Sequence, residues 1–295
     1  MYETGGKLNG LTIQTCKLCG SRKLKRRCRL DHYKLDLLEC TECTFRFVDF
    51  FNTVSQAAMD TGWDYSAHAA SLAAKFSSYC DRIEQFLPLK GRSILDVGAG
   101  GGDFLNQARL RGALVSGLDL DLSGVRFARE TYCIGLEQNI LEEATYEPSS
   151  FDAISLWEVM EHLNRPRELV AAAADLLKSG GFLFLSTPSR DSLWDKAAFA
   201  LYDISFGLVQ FPLSYRYSWT HLQIFSGRDM ARLLKEHGFE IVFLERRMEF
   251  TYPLEDYLHR VGNRRLRRML ARLFGCFVKA VPVRNKMIVY ARKKP

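Results

Sequence analysis

Residues Ser93 to Asp103 read SILDVGAGGGD, and sixteen residues past Asp103 a second apolar run closes on Gly117-Leu118-Asp119. A short run built on Ile94, Leu95 and Val97 that breaks into glycines and then enters a helical pattern is a strand–loop–helix unit. Such units hold nucleotides at the carboxyl edge of a parallel sheet. Gly98, Gly100 and Gly102 let backbone approach a ligand where a Cβ would collide. Asp119, at the end of the next strand, is placed to accept the hydroxyls of a ribose. The dinucleotide fingerprint needs glycine at its first, third and sixth positions, and these are Gly98, Gly100 and Asp103 here. A carboxylate at the helix entrance repels a pyrophosphate, which argues against NAD or FAD. A cationic sulfonium carries no phosphate and tolerates that carboxylate.

A second set of reactive side chains lies near the N-terminus. Of the eight cysteines, four form two pairs in the first fifty residues, Cys16-x2-Cys19 and Cys40-x2-Cys43, with twenty residues between the pairs and Cys28 alone among those twenty. This is zinc-ribbon spacing, each knuckle offering two thiolates to one tetrahedral ion. The sequence between the knuckles is basic (Arg22, Lys23, Lys25, Arg26, Arg27) and then alternates as a hairpin does. A module this small has little core, so a structural Zn2+ would supply most of its stability. Cys28 lacks a partner at ligand spacing, and the isolated Cys80, Cys133 and Cys276 read as small buried hydrophobes.

The glycine loop and Asp119 resemble motif I of class I S-adenosylmethionine-dependent methyltransferases. The resemblance implies that Asp96 lies near the ammonium of the donor and that Gly98, Gly100 and Gly102 surround its methionine portion. It implies further that Asp119, with Leu120 beside it, takes the ribose. Family members often carry an Asp at the end of the third strand, facing the adenine amino group. The matching stretch here is EQNILEEA, which puts Asn139 or Ile140 at that place.

Phe151 to Pro166, FDAISLWEVMEHLNRP, resembles the fourth-strand motif of the same family in the version ending E-V-x-E-H-L. It implies Trp157 and Glu158 projecting towards cofactor and acceptor, with Glu161 and His162 where the family often places active-site groups. Methyl transfer from a sulfonium is an in-line displacement that sometimes needs a proton removed. His162 is the first candidate for that base, because an imidazole titrates near neutrality. Trp219 to Ser226, WTHLQIFS, resembles the family's H-x-x-x-F-S signature, with His221 facing the acceptor and Ser226 as a helix N-cap. Glu158, His162 and His221 are thus the catalytic candidates, and for either histidine a structural hydrogen bond is the competing reading. Leu176 to Ser189 is like the family's helix, Gly-Gly turn and fifth strand. No Asp/Asn-Pro-Pro-Tyr/Phe follows the fourth strand, and no Pro-Cys pair occurs. Both absences argue against nucleobase amino-methylation and a covalent pyrimidine mechanism.

The elements that must position these groups alternate between strand and helix from 92 to 190. Strands are expected at 93–97, 114–119, 151–157 and 181–187, with a weak one at 134–139, and helices at 103–111, 122–131 and 166–178. A helix at 226–237 and strands at 239–246 and 286–292 complete the pattern. The expected fold is α/β, a Rossmann-like class I methyltransferase sheet with helices on both faces, preceded by a small zinc ribbon. Residues 1–52 form the ribbon, 53–90 a helical linker or cap, and 91–295 the methyltransferase domain. The aromatic-rich stretch 190–222 lacks clear periodicity and reads as a lid insertion.

The net charge of +7 conceals an asymmetry, because Tyr257 to Pro295 holds twelve Lys and Arg and no Asp or Glu. A basic segment of this kind, with an apolar stripe from Leu258 to Phe277, suits an anionic membrane surface or nucleic acid, or a packed helix with a solvated basic face. No apolar run is long enough to span a bilayer, and the start lacks a signal-peptide pattern. A cytoplasmic protein without disulfides is expected. Knuckles, an aromatic-rich run and then a methyltransferase domain resemble a widespread bacterial arrangement associated with sugars, polysaccharides and secondary metabolites. This implies a small or carrier-linked acceptor, methylated at oxygen. Ribosomal-RNA methylation, with the ribbon contacting phosphates, and a non-catalytic adaptor that keeps the fold are the alternatives.

Overall fold

The structure is a computed structural model that describes residues 13–50, 60–249, Arg265 and 283–295. The N-terminal strands β1 (Leu24–Leu30), β2 (Leu35–Cys40) and β3 (Arg46–Val48) form an antiparallel meander. Leu30, Leu35, Leu37 and Val48 are buried, while Lys25, Arg26 and Arg29 of β1 are exposed. Helix α1 (Ala69–Ile83) buries Leu72, Phe76, Tyr79, Cys80 and Ile83 along one stripe. The segment 53–90 is therefore helical from Ala69. Among its earlier described residues, a single short turn precedes the helix at Ser66–His68.

The central sheet contains β4 (Ser93–Val97), β5 (Leu114–Leu118), β6 (Phe151–Trp157), β7 (Leu177–Pro188), β8 (Phe239–Arg247) and β9 (Lys286–Lys293). Its order is β5-β4-β6-β7-β9-β8, parallel through β7 and antiparallel where β9 inserts between β7 and β8. The strand order reverses at β4 and β6, whose carboxyl ends are the ligand position of open α/β sheets. Helices α2 (Asp103–Leu110), α3 (Leu122–Tyr132), α4 (Pro166–Leu176) and α7 (Gly227–Glu236) provide the crossovers and covering layers. Ser226 caps α7 in a full capping box with Asp229, the geometry worth about 1 kcal/mol over an uncapped end.

Four expectations need correction. The weak strand at 134–139 is reduced to one parallel bridge, Leu118 to Glu137. The Gly180-Gly181 turn lies inside β7, whose pairing with β6 skips residues between Leu177 and Phe182. The aperiodic 190–222 stretch contains two helices, α5 (Leu193–Ile204) and α6 (Phe211–Arg216). Their inner residues Ala198, Phe199, Leu213 and Tyr217 share a core with Cys28, Leu30, Leu37 and Val48 of the meander. Cys28 and Cys80 are buried, but Cys133 is exposed at the end of α3 with a left-handed backbone, a position that caps the helix. The apolar stripe from Leu258 to Phe277 and Cys276 lie outside the described residues, as does the basic segment around them apart from Arg265 and 283–295. No described helix is long and apolar enough to cross a membrane.

Candidate active site

Strand β4 delivers Asp96 and the glycine loop to the carboxyl edge of the sheet. Gly98, Gly100 and Gly102 all have positive φ, at 72°, 55° and 77°, conformations that side chains with a Cβ rarely adopt. A Cβ on Gly98 would lie 2.6 Å from Val159 Cγ2, so the turn after β6 is packed directly on the loop. Asp119 follows β5, and its Oδ2 accepts from Gly100 N at 2.6 Å while Oδ1 accepts from Asp121 N at 2.7 Å. The N-cap of α3 is Asp121, which accepts from Ser123 N, so Asp119 is left to the loop. Leu120 and the Asn139–Ile140 pair are half-buried beside it. The Gln138 side chain donates to Leu120 O, and Asn139 Oδ1 accepts from Ile140 N at 2.9 Å.

Asp96 is fully buried, with Ser155 Oγ donating to its Oδ1 at 2.6 Å. Burial pushes its carboxyl up to about 8; the Ser155 hydrogen bond opposes the rise and the nearby Asp119 charge adds to it. Burial likewise raises Asp119.

The spacing of residues did not reveal what covers the loop. Thr61 donates through its N and Oγ1 to the Asp121 carboxylate, at 3.0 and 2.6 Å, and Tyr65 Oη donates to Asp121 Oδ2 at 2.9 Å. The Tyr65 ring lies against Gly100 and Gly101 and stacks on Phe127. An aromatic and acidic run, DTGWDY, was the available signal, but it has neither helical nor strand periodicity.

On the other side of the loop stand the residues after β6. Trp157 does not face outward; its ring packs in the core against Tyr79 and Phe104 at centroid distances of 4.8 and 5.2 Å, bracing α1 and α2. Glu158 has φ of 60° and accepts from Ser186 Oγ at 2.7 Å and Lys286 Nζ at 2.9 Å. Burial alone would raise its carboxyl, but the Lys286 and Lys75 ammonium groups outweigh that and hold it below the usual range. Lys286, itself buried, also pairs with Glu249, which accepts from Tyr79 Oη at 2.7 Å and pairs with Lys75. The residues singled out from the sequence did not include Ser186 and Lys286, which hold Glu158, or Glu249 and Lys75 behind them. The signal for Lys286 was a lysine opening the otherwise apolar strand KMIVY.

Glu161, His162 and His221 converge, with one ligand atom of each within 4.8 Å of the others. Glu161 is buried and its Oε2 accepts from Thr187 Oγ1 at 2.9 Å. Burial, with the Glu158 charge adding, lifts its carboxyl to about 7. His162 Nδ1 lies 2.6 Å from Thr220 O, to which it donates, and its Nε2 is 3.9 Å from Glu161 Oε1. The rings of His162 and His221 have centroids 5.1 Å apart. Burial and then the His162 charge push the His221 imidazole down to about 3, so it is neutral at physiological pH. The two segments are stitched by Leu222 N donating to Glu161 O, and by Gln223 Nε2 donating to Met160 O and Leu163 O, each at 2.8 Å.

A family model described as a methyltransferase domain matches residues 71–244. The chain belongs to this methyltransferase family. Among curated relatives, the ubiquinone biosynthesis O-methyltransferase of Neisseria meningitidis is 30% identical over 62% of this chain and 78% of its own length. The like-named protein of Chromobacterium violaceum is 31% identical over 44% of the chain and 59% of its own length. A SAM-dependent methyltransferase from Archaeoglobus fulgidus superposes with a TM-score of 0.52 at 16% identity, covering 76% of this chain and 94% of that one. The 4+2 cyclase SpnF superposes equally well, with a TM-score of 0.52 at 19% identity over 74% of this chain and 81% of its own. These two structures speak for the fold alone.

The residues of this methyltransferase fit S-adenosylmethionine. A buried carboxyl at the mouth of the loop, Asp96, is the group an ammonium would ionise and bind. Asp119 presents a carboxylate beside backbone that only glycine allows to approach so closely. Nothing in the loop asks for a phosphate.

The four N-terminal thiols are also brought together, within 4.8 Å of one another, with Cys16 Sγ–Cys43 Sγ at 3.5 Å and Cys19 Sγ–Cys40 Sγ at 3.7 Å. Zinc–sulfur bonds of about 2.3 Å in a tetrahedron separate sulfurs by about 3.8 Å, so the spacing fits. The two knuckles repeat one backbone pattern. Gly20 N donates to Cys16 O as Thr44 N does to Cys40 O, and Cys16 N to Ser21 O as Cys40 N does to Phe45 O. Gly20 and Thr44 take the same left-handed conformation.

Proposed function

We propose that this methyltransferase moves the methyl group of S-adenosylmethionine to a hydroxyl oxygen of a small or carrier-linked metabolite. The observation that carries the reading is the pairing of the Asp96–glycine–Asp119 loop with the Glu161–His162–His221 cluster across Val159, which touches Gly98. A donor held by the loop thereby meets an acceptor held by the cluster. The names of the relatives, O-methyltransferases of ubiquinone biosynthesis, favour oxygen over nitrogen or carbon. In this reading Asp96 binds the ammonium and Asp119 the ribose, while Leu120, Asn139 and Ile140 border the adenine. Bound there, the cofactor supplies an electrophilic methyl carbon on a sulfonium.

This chain's own residues orient the acceptor. His162 donates through Nδ1 to Thr220 O, which leaves the Nε2 lone pair directed away from the backbone and open to a hydroxyl proton. Its side chain is 43% exposed, as a group meeting substrate must be. Glu158, tied to Lys286 and Ser186, keeps a negative charge beside the site. Zinc on Cys16, Cys19, Cys40 and Cys43 is proposed as a structural ion.

Methyl-labelled donor added to metabolite extracts of the source organism tests the reading, with identification of the labelled product. An RNase-sensitive product would replace it with RNA methylation, and no labelled product with the adaptor reading. His162→Ala should lower turnover by about 10²–10⁴-fold with donor affinity nearly unchanged. Near-normal turnover would leave proximity as the source of rate.

A further inference from the structure

We propose that Gln223, held by Lys17 of the N-terminal ribbon, is a positioning residue for methyl transfer, its amide setting the turn that aims the His162 imidazole. The inference rests on the proposed role of His162 for its chemical use, but not for its geometry.

The His162 ring needs such support. Its side chain is 43% exposed, so core packing does not hold it. Its direction comes from Thr220 O, which accepts from Nδ1 at 2.6 Å, and from the backbone that carries it. That backbone is one short 3-10 turn, Met160–His162, which ends at Leu163 in an extended conformation. A turn this short has little stability of its own. Its closing carbonyls, which a longer helix would pair internally, must find donors elsewhere.

Gln223 supplies those donors. It is fully buried, and its Nε2 donates to Met160 O and Leu163 O, each at 2.8 Å, on either side of Glu161 and His162. Its backbone N donates to Glu161 O at 3.4 Å. One side chain thus grips the turn at both ends, from the same segment that provides Thr220 O to the ring. Few residues could replace it. Glutamate has no donor when ionised, asparagine is shorter by a methylene, and methionine would leave two carbonyls to bear their desolvation unpaired.

The ribbon fixes which way the amide faces. Lys17 Nζ, from between the first two cysteines, donates to Gln223 Oε1 at 3.4 Å and lies over the Phe47 ring. With an ammonium on one side and two carbonyls on the other, a single amide orientation satisfies all three. Phe47 also pairs with Gln223 through an antiparallel bridge, so the ribbon holds both the main chain and the side chain of this residue.

The ring can be read directly. Proton–nitrogen spectra of the full chain, labelled with nitrogen-15 histidine and held at about pH 8, separate the Nδ1–H tautomer from the Nε2–H one. The His162→Ala spectrum assigns the His162 signals among the six histidines. The wild type should show the Nδ1–H tautomer. Gln223→Met and Gln223→Glu should each replace it with a mixture. Labelled product from methyl-labelled donor and extract should fall by up to about 10²-fold in both, with donor affinity unchanged. Lys17→Met keeps the amide but frees its oxygen, so both readouts should move the same way by less, and Lys17→Arg should restore them. Thermal melts check folding, and if neither Gln223 variant folds, the two Lys17 variants decide. Wild-type spectra in the Gln223 variants overturn the positioning, and a wild-type spectrum in Lys17→Met overturns the ribbon's part in it. Displaced spectra with undiminished product retain the positioning and remove His162 as the base.

Discussion

Asp96 offers the sharpest quantitative test of the donor site. In the free protein its carboxyl is pushed up to about 8 by burial, so near neutrality it is mostly protonated. Contact with the ammonium of S-adenosylmethionine requires the ionised form. If the complex holds Asp96 fully ionised, apparent affinity scales with the ionised fraction of the free protein. That fraction is about 1 in 100 at pH 6 and about 1 in 2 at pH 8, so affinity should rise about fifty-fold across the interval, or ~2.3 kcal/mol. Calorimetry between pH 6 and 8, in two buffers of different ionisation enthalpy, should show both the rise and the accompanying proton release. Asp96→Asn should bind more weakly at pH 8 and lose most of the slope. Stability of the unliganded protein must run the other way. The folded state keeps a proton that the unfolded chain loses near 3.8, so this contribution is fully present below about pH 4. It is lost as pH rises through about 8. A flat affinity profile in the wild type, or an unchanged slope in Asp96→Asn, refutes the placement of Asp96 beside the ammonium.

The ribose position is tested by Asp119→Ala, which removes charge-assisted hydrogen bonds worth about 1.5–3 kcal/mol and should weaken donor binding roughly ten- to a hundredfold. Unchanged affinity by calorimetry would take Asp119 out of that role. Purified protein should carry about one tightly held zinc on its thiolates. Cys40→Ser should lose that ion and melt at lower temperature while donor affinity stays largely intact. Full zinc retention would mean that the ligand set is wrong.

The parts of the site legible in sequence are those where local chemistry and backbone geometry coincide. Ser93–Val97 and Phe151–Trp157 are buried parallel strands, whose continuous apolar runs stop at residues that must turn. The paired CxxC knuckles are legible because their spacing is the one that a single tetrahedral ion would require. Legibility fails where a residue's role is set by what the fold brings to it. In Leu193–Ile204, Leu193, Leu201 and Ile204 are exposed while Phe199 is buried, so apolar residues lie on both faces and blur the helical period. Trp157 reads as a site residue from its position at a strand end, yet α1 supplies Phe76 and Tyr79 to enclose its ring. Lys286 and Glu249 become site residues solely because β9 inserts between β7 and β8. Tyr65 acts through a contact with glycines far along the chain, where its own neighbours carry no pattern.

The ribbon belongs to this second, fold-dependent class. Its cysteines announce a metal, but not what the metal supports. Val48 N donates to Leu222 O at 2.7 Å, Phe47 bridges Gln223, and Phe45 packs on Phe225 with centroids 5.1 Å apart. These contacts bracket the residues that follow His221. Lys17, inside the first knuckle, donates to Gln223 Oε1, and the Gln223 amide reaches the carbonyls flanking Glu161 and His162. A zinc ion held, as proposed, by the knuckles would therefore also fix the strand edge on which the His221 segment rests. An appended binding module would leave His221 untouched when its zinc is lost. This ribbon cannot, because β3 itself pairs with the histidine segment through Val48 N and Leu222 O. Zinc removal should therefore loosen the acceptor side of the site while sparing the donor side, which is anchored on β4 and β5.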